Sequence, residues 1–293
     1  MALAGNKQSN EVRFCWEQVL RTNPLFRISA AFAPADRARQ LLPLYALFGA
    51  VEEICSEHSD EDLARRKLDW WRQECARLES HGSEHPVLRE LLHSGAYLAL
   101  RKDSLARLFE NAETRLDPQT PADVDDLQAM CSRLSQPQFE LELALSGMHQ
   151  AMPRSLESIG AVSGLAQLLR EAARRRPPAD YWWLPLTLLA RHGASRADIS
   201  RDGKVDASAR PVFADLLESC LGWIPAPEAG GAASEPEIAA ARHLFVMSKL
   251  HFAALRRLQP SRPRKFATEL NRVGLPQLYL AWKAARSIGT PAD

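Results

Sequence analysis

The stretch APADRARQLLPLYALFGAVEEICSE, residues 33–57, carries the clearest fold signal in the chain. Its apolar residues recur every three or four positions, a spacing that predicts a helix with one buried face. The stripe on that face is formed by Ala38, Leu41, Leu42, Tyr45 and Phe48. The same spacing continues to Glu52, whose carboxylate is costly on an apolar face without a partner. Two interpretations stay open: Glu52 lines a cavity, or the helix end has reached solvent, where Glu52, Glu53 and Glu57 are hydrated.

Helical patterns of this kind recur from one end of the 293-residue chain to the other, whereas strand patterns hardly appear. They predict an all-α fold organised as a single domain over residues 1–293. The segment near 225–235 is rich in Pro, Gly and Ala and predicts a flexible, exposed connection inside that domain. The predicted helices cover 10–22, 34–57, 153–176, 184–192, 206–223, 235–258, 263–272 and 275–287, and others begin near Ser59, Pro86, Asp103 and Thr120.

The composition is that of an ordinary globular protein and argues against several functional classes. A formal net charge of +1 gives no electrostatic reason to expect nucleic acid as a partner. The N-terminus lacks the basic-then-apolar pattern of a secretory signal, and no apolar run approaches the roughly 18 residues that span a bilayer. The five cysteines are scattered, which predicts reduced thiols. We therefore expect a cytoplasmic protein without a transmembrane segment, and peripheral contact with a membrane surface stays open.

A second polar feature lies in the helix predicted over residues 153–176. Gln167, Glu171 and Arg175 recur at intervals of four, so they share one face of an otherwise apolar helix. One interpretation is a functional polar stripe. The other is a solvated face with a Glu171–Arg175 ion pair that stabilises the helix. Gly160 and Gly164 leave a smooth patch on the same helix, which would let a neighbouring helix approach closely; the alternative is that the helix simply tolerates glycine there.

Four further segments follow the opening helix in order. They are Leu68-Asp69-Trp70-Trp71-Arg72-Gln73-Glu74-Cys75, His85-Pro86-Val87-Leu88-Arg89-Glu90-Leu91, Gly164-Leu165-Ala166-Gln167-Leu168-Leu169-Arg170-Glu171 and Tyr181-Trp182-Trp183-Leu184-Pro185. Together with residues 33–57 they resemble the squalene/phytoene synthase family over roughly residues 14–260. The WWR and HPVLR segments, in this order and spacing, carry most of the specificity. A shorter match over residues 275–282 is similar to the tail of a mitochondrial complex I assembly factor of the same fold.

The resemblance implies an isoprenoid synthase fold, in which a bundle of helices surrounds a deep central cavity. Members of the family condense two isoprenoid diphosphates head to head. Two aspartate-rich motifs on facing helices hold magnesium ions, and the ions hold the departing diphosphate. The motif positions fall on Glu52, Glu53 and Ser56 in the first helix and on Gln167, Glu171 and Arg175 in the second. Further candidates for the cavity wall are Phe26, Tyr45, Phe48 and Arg115.

The chain departs from the family pattern at the acids themselves. Ser56, Arg115 and Arg175 each stand where the resemblance implies an aspartate. Magnesium beside two arginines would be repelled electrostatically. We therefore predict a binding or assembly protein that has lost metal chemistry, needs no cofactor, and takes an isoprenoid-like lipid or a protein as its partner. The alternative is an active prenyltransferase that uses magnesium in an altered site.

The lost aspartates also predict what stands in place of the metal. An apolar cavity would strand the carboxylates of Glu52 and Glu171, so each of them needs a partner. Arginine supplies forked donors at fixed positive charge. We expect Glu52 or Glu171 to lie within hydrogen-bonding distance of Arg115 or Arg175.

Overall fold

A computed structural model describes residues 9–57, 60–148, 154–174, 181–196, 200–201, 204–205, 209–223, 235–262 and 265–287. These residues are almost entirely helical, which confirms the all-α prediction. The helices are α1 (Asn10–Thr22), α2 (Phe26–Ser29), a 3₁₀ turn (Ala30–Phe32), α3 (Ala35–Glu57), α4 (Glu61–His81), α5 (Pro86–His93), α6 (Ala96–Ala99), α7 (Lys102–Thr114), α8 (Val124–Leu145), α9 (Arg154–Arg174), α10 (Leu186–Arg191), α11 (Arg210–Leu221), α12 (Glu235–Leu255), α13 (Phe266–Leu270) and α14 (Leu275–Ser287).

A small hairpin and one predicted loop complete the description of the chain. Strands β1 (Ser200–Arg201) and β2 (Lys204–Val205) pair antiparallel, a feature that the helical patterns did not predict. The loop predicted near 225–235 lies outside the described residues, which resume at Glu235 as α12 begins.

Several helices begin where a side chain satisfies a free backbone amide. Asp60 accepts a hydrogen bond from the Leu63 amide at 3.0 Å, and Asp123 accepts one from the Asp126 amide at 2.9 Å. Such caps replace hydrogen bonds that the first turn cannot make within the helix. The starts of α4 and α8 are therefore encoded locally; α4 begins two residues after the predicted Ser59, and α8 begins four residues after the predicted Thr120.

Helices α8 and α9 approach each other closely because glycine faces the contact. A Cβ added at Gly164 would lie 1.9 Å from the carbonyl oxygen of Cys131, so no larger residue fits there without a shift of the backbone. One turn earlier on α9, the carbonyl of Gly160 accepts a hydrogen bond from Ser135 at 2.9 Å. The smooth patch predicted from the sequence is thus used for helix packing.

Two large apolar clusters stabilise the described structure. The first is built mainly from α1 and α3 to α7. The second is built from the first half of α8, from α9 and α11, and from the end of α12 with α13. Helix α3 belongs to the first cluster and α9 to the second, and these two helices also contact each other. Polar side chains on their facing sides therefore lie in the interior.

The cysteines lie in the interior of the described structure. All five cysteines are buried and none forms a disulfide, and burial raises the pKa of both Cys15 and Cys75 to about 12. In the ranges that the structure describes, no helix combines the length and the apolar character that crossing a bilayer requires.

Candidate functional site

The inward face of α3 ends in an acid that an arginine neutralises. Four residues follow one another on this face and are each at most 9% exposed, namely Tyr45, Phe48, Glu52 and Ser56. The Glu52 carboxylate accepts a hydrogen bond from Nη2 of Arg174 on α9. Because Glu52 is buried, the interpretation of this helix end as hydrated surface is wrong for this residue.

The other two positions of the first motif, Glu53 and Ser56, place no carboxylate at the centre of the bundle, where α3 faces α9. The Ser56 hydroxyl donates to the backbone carbonyl of Glu52 at 2.9 Å, so it is used within its own helix. Glu53 faces α1, where its Oε2 accepts hydrogen bonds from Gln18 Nε2 at 2.7 Å and from Arg21 Nη2 at 2.9 Å. Glu53 therefore ties α1 to α3, and of these three positions Glu52 alone carries a carboxylate inward.

The second motif lies on α9 and is also buried. Gln167 and Glu171 are inaccessible to solvent, so the interpretation of this stripe as a solvated face is wrong for both. Arg115, which follows α7, donates from Nε to Glu171 Oε2 at 3.0 Å and from Nη2 to the same oxygen. Burial alone lowers the pKa of Arg115, but Cys55 and Glu171 raise it above its ordinary value, so the guanidinium stays charged. This is one of the pairs that the sequence predicted.

The arginine that pairs with Glu52 is Arg174, which the motif comparison did not single out. Arg174 precedes Arg175, the partner that the sequence predicted. Arg175 lies outside the described residues, and so does the side chain of Glu57. A signal for Arg174 was present in the sequence. It follows Glu171 by three residues, a spacing that puts both side chains on one face of α9.

Another arginine of α9, Arg170, is buried and contacts a histidine rather than an acid. Its Nη1 lies 3.3 Å from His251 Nε2, and His251 Nδ1 lies 3.3 Å from the Ser163 hydroxyl. Because a guanidinium can only donate, Nε2 accepts and the neutral imidazole carries its proton on Nδ1. Burial, followed by the charge of Arg170, lowers the pKa of His251 well below its ordinary value.

Glu142 on α8 connects three further helices. It accepts a hydrogen bond from the Tyr45 hydroxyl at 2.8 Å, and His243 Nδ1 lies 2.6 Å from its other oxygen. His243 Nε2 lies 2.9 Å from the Ser29 hydroxyl. An acid, a histidine and a serine in this order resemble a hydrolytic relay. Ser29, however, is fully buried and also lies 3.2 Å from the Phe26 carbonyl, so its hydroxyl cannot attack a substrate. The network fixes α2, α3, α8 and α12 to one another.

The sequence pattern did not identify this network. Neither Glu142 nor Ser29 lies in one of the sequence motifs, and His243 and His251 also lie outside them. Both histidines are buried in the core. The available signal for Glu142 was its position among the apolar residues of FELELAL, residues 139–145, where an acid needs a buried partner.

Three of the four cavity candidates come together as an aromatic cluster. The ring centroids of Phe26 and Tyr45 lie 4.6 Å apart, and those of Tyr45 and Phe48 lie 5.3 Å apart. The His243 ring packs edge-on against both Phe26 and Tyr45. The cluster adjoins Glu142 through the Tyr45 hydroxyl. That these residues and Arg115 line a ligand cavity stays a prediction.

The side chains at the motif positions do not fit magnesium. Magnesium prefers a near-octahedral set of oxygen ligands and binds through carboxylates, waters and phosphates. Glu52 and Glu171 each already accept from an arginine, whose fixed charge repels a cation. Within the described ranges, no three acidic, histidine or cysteine side chains are grouped so that they could share an ion.

The most specific sequence match forms a corner between α4 and α5. Trp71 packs edge-on against His85 with centroids 4.5 Å apart, and Trp70 packs against the same ring at 5.8 Å. His85 also caps α5, since its Nδ1 accepts from the Val87 amide at 3.3 Å. The WWR and HPVLR segments thus mark the fold, whereas the chemistry depends on the weaker acidic motifs.

Comparisons with known proteins agree with this architecture. A family model described as Squalene/phytoene synthase matches residues 21–278. The structure is similar to that of a dehydrosqualene synthase in complex with ligand, at a TM-score of 0.66 and 12% identity over 94% of this chain and 95% of the other. It is also similar to squalene synthase HpnC from Alicyclobacillus acidocaldarius, at a TM-score of 0.54 and 16% identity over 96% and 95% of the two chains. At these identities the likeness shows the fold. No curated protein matches the sequence.

Proposed function

The chain belongs to the squalene/phytoene synthase family, and from this premise we propose that it has lost metal-dependent prenyl transfer and acts as a binding or assembly protein. The observation that carries the proposal is the pairing of both inward carboxylates, Glu52 and Glu171, with arginine. Metal-assisted loss of diphosphate needs those oxygens as ligands for the ion. Here their lone pairs accept from guanidinium groups instead.

The arginines are also poorly suited to take over the task of the metal. Arg115 uses both Nε and Nη2 on Glu171, and Arg174 uses Nη2 on Glu52. A diphosphate that recruited either guanidinium would leave a buried carboxylate without its partner, which costs several kcal/mol. The pairs therefore favour a closed, structural centre over one that exchanges anions in each turnover.

An exposed apolar strip on α14 supports a role in assembly. Leu275 is 81% exposed and Tyr279 is 62% exposed, and Leu278 and Trp282 are each 45% exposed. Apolar patches of this kind on a protein surface often mark an interaction site. Arg286 lies over the Trp282 ring at 4.8 Å, which holds that ring in a defined orientation.

Product analysis tests the loss of catalysis. The purified protein is incubated with magnesium and farnesyl or geranylgeranyl diphosphate, and we expect no condensed C30 or C40 product. A product that disappears in Glu52→Ala would overturn the proposal and restore the active-enzyme alternative. Glu53→Ala is the matched control, because the Glu53 carboxylate faces α1 rather than the centre.

Native mass spectrometry tests which binding role applies. The protein is incubated with farnesyl diphosphate or geranylgeraniol in the absence of magnesium, and bound mass is read directly. Retention of the intact molecule supports an isoprenoid-like lipid as the ligand. If none is retained, the proposed partner is a protein, and Trp282→Ala, on the exposed strip of α14, is the variant expected to weaken its binding.

A further inference from the structure

A basic pocket lies at the end of α12, away from the central pairs. Its volume is about 330 Å³, within the range of small-molecule sites, which is roughly 300–1,000 Å³. Its lining is formed by Arg257, Gln259, Arg262, Lys265, Phe266, Glu269 and Arg272. Four cationic side chains therefore share the pocket with a single carboxylate, and buried Phe266 anchors it to the second apolar cluster.

The backbone around the pocket is ordered by successive turns. The Arg262 amide donates to the Gln259 carbonyl at 2.8 Å, and the Lys265 amide donates to the Arg262 carbonyl at 2.9 Å. On the opposite side, Arg272 lies 3.6 Å from Glu269. The cationic side chains thus line one concave surface, whereas solvated side chains would be scattered over the surface of the protein.

Arg257 is the residue that points to a ligand. Its Nε and Nη2 atoms are buried, and neither has a hydrogen-bond partner among the described residues. Glu269, the carboxylate of the described lining, pairs with Arg272 rather than with Arg257, so the charge of Arg257 is available to an anion in the pocket. Burial lowers the pKa of Arg257, Glu269 opposes that shift, and the charge of Arg272 adds to it by a smaller amount. An anion in the pocket would offset the repulsion between the two arginines.

We propose that this pocket binds a phosphate group, whose negative charge is neutralised by Arg257, Arg262, Lys265 and Arg272 together. A planar guanidinium matches phosphate geometry with two parallel hydrogen bonds. Glu269, which lies beside Arg272, restricts the anion to the side of the pocket that Arg257 and the loop cations form. The site is independent of the central pairs and of the loss of prenyl transfer.

The group can belong to a soluble phosphate or to a phospholipid head, and the experiment separates these sources. Binding of inorganic pyrophosphate to the full chain is measured by calorimetry, and cosedimentation is measured with phosphatidylcholine vesicles with and without phosphatidic acid. Binding in either arm is expected to weaken at least about tenfold in Arg257→Gln. Binding of pyrophosphate identifies a soluble ligand, and binding only to vesicles that contain phosphatidic acid identifies a lipid head.

A matched control separates the pocket from general charge. Arg66→Gln removes one positive charge from the exposed face of α4 and should leave both arms unchanged. If Arg257→Gln does not fold, as judged by circular dichroism, the double variant Arg262→Gln with Arg272→Gln replaces it, because both residues are exposed. The absence of binding in both arms, or binding that is insensitive to these pocket variants, overturns the proposal.

Discussion

The centre of this protein and the basic pocket at the end of α12 use arginine in opposite ways. At the centre, Arg115 and Arg174 each pair with a glutamate on a facing helix, and both carboxylates are buried. In the pocket, four cations share Glu269, and three of the four are exposed to solvent. The same side chain is therefore a structural partner in one region and an open donor in the other.

Burial explains the difference between the two regions. A charge removed from water needs a partner, because its lost hydration costs several kcal/mol. At the centre that partner comes from the chain itself, so an outside ion is excluded. At the pocket rim water hydrates the exposed cations, and Glu269 pairs with Arg272, so positive charge is left for an anion. Substitutions in either region test this difference, and their effect is measured as a change in the free energy of unfolding.

The largest effect is expected at the most buried pair. Glu171→Ala leaves the Arg115 guanidinium buried and uncompensated, so urea denaturation should show a loss of about 3–5 kcal/mol. The matched control is Glu113→Ala, which breaks a pair with Arg72 in which both side chains are about one third exposed. That change should cost at most about 1 kcal/mol.

The double variant Arg115→Met with Glu171→Leu tests whether the loss of stability comes from the uncompensated charge. Apolar residues of similar volume require no partner, so most of the lost stability should return. Equal costs for Glu171→Ala and Glu113→Ala would contradict the description of the centre as sealed.

A smaller loss is expected at the second central pair. Arg174→Ala leaves Glu52 buried, but Arg174 is 20% exposed and water can partly replace it. We expect a loss of about 1–3 kcal/mol, the usual cost of an unsatisfied buried group. Adding Glu52→Gln to this variant removes the stranded charge and should recover part of the loss. A double variant that is less stable than Arg174→Ala alone would show that Glu52 has another partner.

The pH dependence of stability tests whether burial and the charge of Arg170 keep His251 neutral in the folded protein. The folded pKa of His251 lies well below the ordinary value of 6.5, so below that pH the unfolded chain binds a proton that the folded chain does not. Stability is therefore complete above pH 6.5 and falls as the pH drops toward the folded pKa, by up to about 1.4 kcal/mol per unit.

Denaturant titrations at pH 7.5, 6.5 and 5.5 measure this slope. His251→Asn should flatten the part of the slope that belongs to this histidine, whereas His81→Asn on the exposed end of α4 should leave the slope unchanged. Equal slopes in the wild-type protein and in His251→Asn would show that His251 is not held neutral in the fold.

The smallest effect is expected in the pocket. Arg257→Gln removes a partly buried charge whose attraction to Glu269 is partly cancelled by repulsion from Arg272, so the free energy of unfolding should change by no more than about 0.5 kcal/mol. The same substitution at Arg115 should cost several kcal/mol, because Glu171 then loses its charged partner. A large loss for Arg257→Gln would remove the contrast between the two regions.

Much of the fold could be predicted from local patterns. The helix predicted over 10–22 is observed over Asn10–Thr22, and the helix predicted over 275–287 is observed over Leu275–Ser287. The acidic positions were also recognisable, since Glu52 continues an apolar stripe at helical spacing and Glu171 lies in a polar stripe on an otherwise apolar helix. Periodicity could not decide whether those acids were wet or buried, because a helix end at the surface has the same spacing as one in the core.

The sequence by itself determined the helices, their apolar faces and the loss of three acids from the family pattern, because each depends on neighbouring residues. Only the tertiary structure decided which charges meet. Arg115 and Glu171 are 56 residues apart, and Arg174 and Glu52 are 122 apart. Adjacent residues on a helix point about 100° away from each other, so the register of α9 against α3 places Arg174 at Glu52. That register is set by packing across the whole bundle, and local sequence does not encode it.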